Sequence, residues 1–240
     1  MADNDSVRND AAIRCVRAAG ALFAASALLS GCVSEVKGTA VRSHGIGPVD
    51  IPPLDETRLD AILLTVDELN EIVGSTRLEV TSELEEMTDH SAEVSDPDCL
   101  GAVYGAEAPV YAGTGWTAMR DQLAREPDED NDHWVEQTAV LYPSSGNAER
   151  FFADSSSTWQ DCATSAIAVG EGDYLWELGE VGVGDTLITQ KTTQEGADGW
   201  ACQHALSVVS NLTVEAWACG YSITDEAAAI ADAMIQNAAE

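Results

Sequence analysis

The chain has 240 residues and is strongly acidic, with 42 Asp and Glu against 11 Lys and Arg and a formal net charge of −31. This charge argues against binding to nucleic acid, which requires a basic surface, and against attraction to anionic lipid headgroups. It favours cationic ligands weakly through long-range steering, although solubility outside the cell is the simpler explanation of the acidity.

The first 31 residues are predicted to be a lipoprotein signal peptide. Two arginines precede an uncharged, mostly apolar run over residues 18–29, which is typical of an export signal and too short to span a membrane. The run ends in Leu-Ser-Gly-Cys, which resembles a bacterial lipobox, so Cys32 is predicted to carry lipid. The alternative is an ordinary cleavage site with an incidental cysteine, and the acidic first residues leave a later start codon open.

Residues 32–53 are predicted to comprise the lipidated cysteine and a flexible tether. It holds several glycines and prolines and has no apolar period. Residues 54–240 are then enough for one domain with a sizeable core.

Apolar residues recur with helical spacing between Leu59 and Val73. A capping-box pattern at Thr65 and Glu68 and a stop at Gly74 allow one helix or two short ones. The elements predicted next are a weak strand at 77–83, a short Ala-rich helix over 99–111, and strands over 115–122 and 134–142.

The segment after Pro143 is predicted to be a helix capped by Ser144 or Ser145, with Trp159 and Cys162 on its buried face. The remaining elements are β-prone runs near 174–178, 185–193, 201–209 and 212–219, and a last helix capped by Thr224. Because the strands come mostly in hairpins, we predict an α+β domain: a mostly antiparallel sheet with packed helices and a central cleft.

Four cysteines remain in the domain, and an even number in an exported chain indicates two disulfides with three possible connectivities. A two-residue turn at Ser210-Asn211 sets the predicted hairpin register and places Cys202 opposite Cys219. The two residues form a non-hydrogen-bonded pair about 4.5 Å apart, which a disulfide tolerates. A bond between Cys99 and Cys162 follows by exclusion.

Four stretches carry a family resemblance: LLTVDELNEIVG, PDCLGAVYGAEAPVYAGTGWTAMRDQ, ERFFADSSSTWQDC and WACQHALSVVSNLTVEAWACG. Together with the order of elements, they resemble the PknH-like extracellular (sensor) domain family over about residues 60–238. That family is named for the outer part of an actinobacterial receptor serine/threonine kinase and also occurs in free-standing lipoproteins. The resemblance implies paired disulfides, an α/β fold and a cleft thought to take a ligand. Since no kinase portion accompanies the domain, a signalling output is expected to need a partner.

Motifs of catalysis and metal binding are absent from the sequence: no GxSxG elbow, HExxH helix, P-loop or CxxC pair occurs. The acidic run 128–132 begins like a calcium loop, but His133 stands where glycine is required and Ala139 where a bidentate glutamate is required. The glycine-rich stretch 179–185 lacks a lysine and is predicted to be a turn. We therefore expect no cofactor, no metal and no catalytic residue.

The residues predicted to contact a ligand are mostly aromatic, because tryptophan joins an apolar body to a hydrogen-bond donor. In the hairpin register His204 lies opposite Trp217, on the face of the cysteine pair, whereas the other face is small and apolar and suits helix packing. The predicted cleft residues are Tyr104, Trp116, His133, Trp134, Trp200, His204, Glu215 and Trp217. The alternative is that the hairpin pairs only stabilise the sheet.

Our leading hypothesis is a lipoprotein anchored on the extracytoplasmic face of the cell membrane. Its domain is expected to bind a small apolar or amphipathic envelope ligand without catalysis. The alternatives are an envelope-acting enzyme with an unrecognised histidine or carboxylate site, and a structural protein-interaction module. Two close carboxylates in a cleft would favour the enzyme, an apolar cleft would favour binding, and the lack of a cleft would favour the interaction module.

Overall fold

The computed structural model describes residues 51–127, 131–170 and 174–240. The predicted signal peptide, Cys32, most of the tether and the first three residues of the acidic run lie outside these ranges. Across the described ranges, no helix combines the length and the apolar character needed to cross a bilayer.

The centre of the domain is a sheet whose eight described strands are all antiparallel to their neighbours. The strands are β1 Glu79–Leu84, β2 Ala118–Arg125, β3 His133–Leu141, β4 Ala166–Val169, β5 Tyr174–Val183, β6 Leu187–Gln194, β7 Ala201–Val209 and β8 Leu212–Gly220. Their order across the sheet is β1-β2-β3-β8-β7-β6-β5-β4. The predicted hairpin β7–β8 therefore forms the middle of the sheet.

Six described helices cover the two faces of this sheet. They are α1 Leu59–Ile62, α2 Val66–Val73, α3 Leu100–Val103, α4 Ala108–Tyr111, α5 Ser145–Cys162 and α6 Glu226–Ala238. The first two helices and α6 pack on the face that carries Ala205, Ala216 and Ala218, while the other three pack on the opposite face. The α+β class and the mostly antiparallel sheet are confirmed, as is the small apolar face beneath helices.

The first helical segment consists of two short helices. Leu63 adopts an extended conformation and ends α1, and Thr65 and Glu68 then form the predicted capping box at the start of α2. Gly74 ends α2 in the left-handed region at φ 76°, where glycine carries no steric penalty.

Five local predictions need correction. The glycine-rich stretch 179–185, predicted to be a turn, belongs to strand β5 as far as Val183. The segment 99–111 forms two short helices, because the chain turns through Ala106 at φ 51°. Strand β2 begins three residues later than predicted, since Gly115 has a left-handed φ of 77° that cannot continue a strand. The last helix has Asp225 at its N-cap, because Thr224 bonds the Glu226 carboxylate. The edge strand β4 was not predicted.

Both predicted disulfides are present. Cys202 and Cys219 lie opposite each other in the β7–β8 register, with Cα atoms 3.9 Å apart. Cys99 and Cys162 are joined with Cα atoms 5.8 Å apart, which ties the end of α5 to the turn before α3. Each disulfide therefore links elements that border the same face of the sheet.

Candidate functional site

A column of three stacked rings runs through the face of the sheet that carries α5. His204 on β7 lies between Trp159 of α5 and Trp217 of β8, with ring centroids 3.9 and 3.8 Å away. The His204 Nε2 atom lies 2.6 Å from Glu215 Oε1, and the Tyr111 hydroxyl donates to the other oxygen of that carboxyl group at 3.1 Å. Burial lowers the pKa of His204, so at neutral pH an uncharged ring donates this hydrogen bond.

Beyond this column the sheet is not covered by α5, and a cavity of about 890 Å3 opens. Its aromatic wall consists of Tyr104, Trp134, Trp176, Trp200, Trp217 and Tyr221. The four tryptophans of this set pack around the Cys202–Cys219 disulfide. We call this cavity the cleft, and it meets the expectation of a central cleft.

Strand alternation explains why these side chains share one face. On β3, Trp134 and Glu136 point to the cleft while Val135 points to the opposite core. Trp217 lies directly across from Glu136 in the register of β3 and β8. Side chains from neighbouring strands therefore meet at the centre of the cleft.

Two carboxyl groups form a hydrogen-bonded pair in the cleft. Glu136 on β3 bonds Asp121 on β2, and Thr138 Oγ1 donates to Asp121 at 2.6 Å. Burial raises the pKa of Asp121 to about 6. Burial and the nearby Asp121 and Glu215 raise the pKa of Glu136 well above its ordinary value. The pair therefore holds a proton at neutral pH, with Glu136 as the donor.

A third acidic side chain, Glu107, closes one end of the cleft. Only 1% of Glu107 is exposed, and it accepts hydrogen bonds from Thr88 Oγ1 at 2.9 Å and from the His90 backbone at 2.7 Å. His90 Nδ1 lies 2.5 Å from the same carboxyl group, and the His90 ring stacks on Tyr104. The break between α3 and α4 brings this segment over the cleft.

Among the described residues of the cleft wall, one buried polar side-chain atom has no hydrogen-bond partner. It is the indole nitrogen of Trp217, whose side chain is buried against the disulfide. A Cβ atom placed at Gly105 would lie 3.4 Å from this nitrogen and 3.5 Å from Glu136 Oε1. The absence of a side chain at Gly105 thus leaves a space of about one methyl group beside both polar groups.

The predicted site residues separate into two groups. Four of them line the cleft: Tyr104, Trp134, Trp200 and Trp217. The other four are not part of its lining: Trp116 packs against the α5 core, His133 pairs with Glu126 at 2.8 Å, and His204 and Glu215 are buried behind Trp217. The predicted position of these four residues on the wall is thus corrected. For His204 and Glu215 the reason is that α5 and α3 cover that part of the hairpin face, whereas His133 is adjacent to Trp134 on β3 and therefore points to the other face. Trp116 precedes β2 and is not on a strand.

Among the cleft residues that the sequence reasoning missed are Glu107, Asp121, Glu136 and Trp176. Asp121 and Glu136 had a recognisable signal, since each is a carboxyl group two residues after a large apolar or aromatic side chain, Met119 or Trp134, on one face of a predicted strand. Glu107 had none, because its position depends on the chain reversal after α3.

The raised pKa of Asp121 predicts a pH dependence of stability. The folded protein holds this proton more tightly than the unfolded chain, so the stabilising contribution is complete below the ordinary value of 3.8 and is lost as pH rises through about 6. In Asp121→Asn this titration is gone, and the free energy of unfolding in urea should fall less between about pH 4 and about pH 7. The lowered pKa of His204 affects wild type and variant alike. Equal slopes in the two proteins would contradict the assignment.

Comparison with known proteins identifies the domain. The PknH-like extracellular domain family matches residues 54–237. The serine/threonine-protein kinases PknH of Mycobacterium bovis and Mycobacterium tuberculosis are each 39% identical over 193 residues, or 79% of this chain. The match spans about a third of the length of these relatives, 32% and 31%.

The solved structure of the extracellular domain of PknH from Mycobacterium tuberculosis has the same fold. It superposes with a TM-score of 0.75 at 38% identity, covering 78% of this chain and 97% of that one. The family resemblance inferred from the four sequence stretches is confirmed. The chain belongs to the PknH-like extracellular domain family.

Proposed function

We propose that this protein is a lipid-anchored lipoprotein on the extracytoplasmic face of the cell membrane, whose domain binds a small apolar or amphipathic envelope molecule in the cleft without converting it. Membership of an extracellular domain family fits that location. The observation that carries the proposal is the cleft itself. Its volume of about 890 Å3 lies within the range of small-molecule sites, roughly 300–1,000 Å3.

The wall of the cleft supports binding of an apolar body. Four tryptophans and two tyrosines supply large, rigid surfaces with few rotatable bonds, so a ligand can be held with little loss of side-chain entropy. A structural interaction module has no need of such a cavity. The sensor function carried by the family name would then require an unidentified signalling partner that reads the occupied state.

A glycine at the centre of the cleft provides the test. Gly105→Leu should fill the space before Trp217 and weaken binding of a lipid extract of the host envelope by about tenfold or more, since overpacking costs about 1–3 kcal/mol. Gly146→Leu is the matched control, because it places the same side chain in the first turn of α5, outside the cleft, where a Cβ meets only flexible side chains at 3.6 and 3.9 Å, and it should leave binding intact. Tryptophan fluorescence reports both titrations. If the extract quenches wild type and Gly105→Leu equally, the ligand binds outside the cleft. If it quenches neither, the extract contains no ligand for this protein.

The paired carboxyl groups favour a second candidate, an envelope-acting hydrolase. Asp121 and Glu136 share a proton, as acid–base pairs of hydrolases do. However, Asp121 is only 4% exposed and accepts a hydrogen bond from Thr138, which leaves Glu136 alone to face a substrate. Mass spectrometry of envelope fragments incubated with the protein decides between binding and hydrolysis. Product formed by wild type and lost in Asp121→Asn would establish the enzyme.

The anchor at Cys32 has its own prediction. If the Leu-Ser-Gly-Cys motif is processed as a lipobox, protein extracted from membranes should begin at Cys32 and carry a diacylglycerol group. Two acyl chains are what stable anchoring requires. Intact-mass measurement checks this, with Cys32→Ser as the control that should lose the lipid. A soluble wild-type protein with an unmodified N-terminus would refute the anchor.

A further inference from the structure

The charge of the cleft is strongly one-sided. Among the described residues that line it there are five acidic side chains and no Lys or Arg. The acidic residues are Glu107, Asp121, Asp132, Glu136 and Asp198. A neutral or anionic ligand would add no positive charge to this acidic set, whereas a cation would complement it.

The aromatic wall of the cleft also favours a cationic ligand. Trp134, Trp176 and Trp200 contribute ring surfaces to the cavity that holds the carboxyl groups. The face of an indole ring attracts cations, and cages of such rings recognise quaternary ammonium groups. Rings and carboxyl groups that line one cavity act together, because the protein around them lowers the local dielectric and strengthens both interactions.

The third observation is the unpartnered indole N–H of Trp217. Only 5% of this residue is exposed, and its nitrogen has no acceptor. A buried donor without a partner costs about 1–3 kcal/mol, so a ligand oxygen placed there would be favourable. The nitrogen and Glu136 Oε1 border the same space before Gly105. The acceptor and the cationic group therefore belong close together on one ligand.

From these three observations we propose that the cleft selects an organic cation: an ammonium group beside Glu136, an acceptor oxygen on the Trp217 N–H, and an apolar body along Trp134, Trp176 and Trp200. This inference rests on the function proposed above and adds the charge and polar chemistry of the ligand. The preference for a cation follows from a local arrangement and not from the net charge of the chain, because the acidic groups, the rings and the unpartnered donor meet in one cavity.

Binding of such a cation should release a proton. The groups that face Glu136 are Asp121 on β2, Glu215 on β8 and Glu107 before α4, and together with burial they favour its protonated form. A cation reverses this preference by stabilising the carboxylate. The affinity for a permanently charged cation should therefore rise with pH, whereas a neutral ligand should show no such increase.

A matched pair of probe ligands isolates the effect of the ligand's charge on affinity. Hexanoylcholine carries a quaternary ammonium group, an ester oxygen and a short apolar chain, while 3,3-dimethylbutyl hexanoate has the same shape with carbon in place of nitrogen. Tryptophan-fluorescence titration should give hexanoylcholine about tenfold or more the affinity of the neutral ester. The preference should grow with pH.

Variants assign the effect to residues. Glu136→Gln should reduce the affinity for hexanoylcholine about tenfold and leave that for the neutral ester unchanged. Trp217→Phe keeps an aromatic ring but removes the N–H donor, so it should weaken binding of both esters equally. Glu177→Gln removes one exposed carboxylate of β5 outside the cleft and should change neither. Melting temperatures verify that each variant is folded.

The outcomes separate this inference from the proposed function. If the neutral ester binds as well as hexanoylcholine, or if the host envelope extract binds while hexanoylcholine does not, the cation preference is overturned and the binding function stands. If neither ester nor the envelope extract binds, both are overturned.

Discussion

Replacing Cys99 and Cys162 by alanine is expected to lower the free energy of unfolding by about 4 kcal/mol. The bond closes a loop of 63 residues, and the chain-entropy model gives about 4 kcal/mol for a loop of that length. Both sulfur atoms are buried in the core beneath α5, so their removal also leaves small packing defects. Urea unfolding of wild type and the double variant measures the difference.

The second disulfide provides a matched comparison. Cys202–Cys219 closes a span of only 17 residues inside a hairpin that the sheet already holds together. The same model gives about 3 kcal/mol for its removal. A larger loss from the hairpin bond than from Cys99–Cys162 would show that loop closure does not govern these contributions.

His204→Leu is expected to be nearly as destabilising, by about 3–5 kcal/mol, because it leaves the buried Glu215 without its closest partner. Only Tyr111 would then bond that carboxyl group. The substitution also removes the ring that stacks between Trp159 and Trp217. Denaturant unfolding at neutral pH measures the loss.

A double variant tests the cause of that loss. His204→Leu with Glu215→Leu removes both partners, so no carboxyl group stays buried and unpaired, and this variant should be more stable than His204→Leu alone. The cost that remains comes from the Tyr111 hydroxyl, which loses its acceptor. If the two substitutions instead add, the destabilisation comes from packing rather than from the broken pair.

Much of the fold was predictable because local patterns agree with the tertiary arrangement. The β7–β8 hairpin is the best example, since a two-residue turn at Ser210-Asn211 sets the register and hence the Cys202–Cys219 bond. The cap of α2 is another, because Thr65 and Glu68 interact within one turn. The edge strand β4 escaped prediction because its four residues are too few to show a period.

The site was predictable only in part, for a physical reason. Sequence alternation shows which side chains share a face of the sheet, and in the hairpin it placed Trp217 on the face of the cysteine pair. It does not show which portion of that face a helix covers, so His204 and Glu215 were expected in the cleft but lie beneath α5. Glu107 depends on the chain reversal at Ala106, a backbone conformation that alanine rarely adopts.

The central claim is that the cleft holds a small molecule, and native mass spectrometry of the protein purified from its own host tests it most directly. We predict a bound species of defined mass on wild type and on Gly146→Leu, displaced by hexanoylcholine and absent from Gly105→Leu. Wild-type protein of unliganded mass, together with melting temperatures that no envelope fraction raises, would contradict the claim.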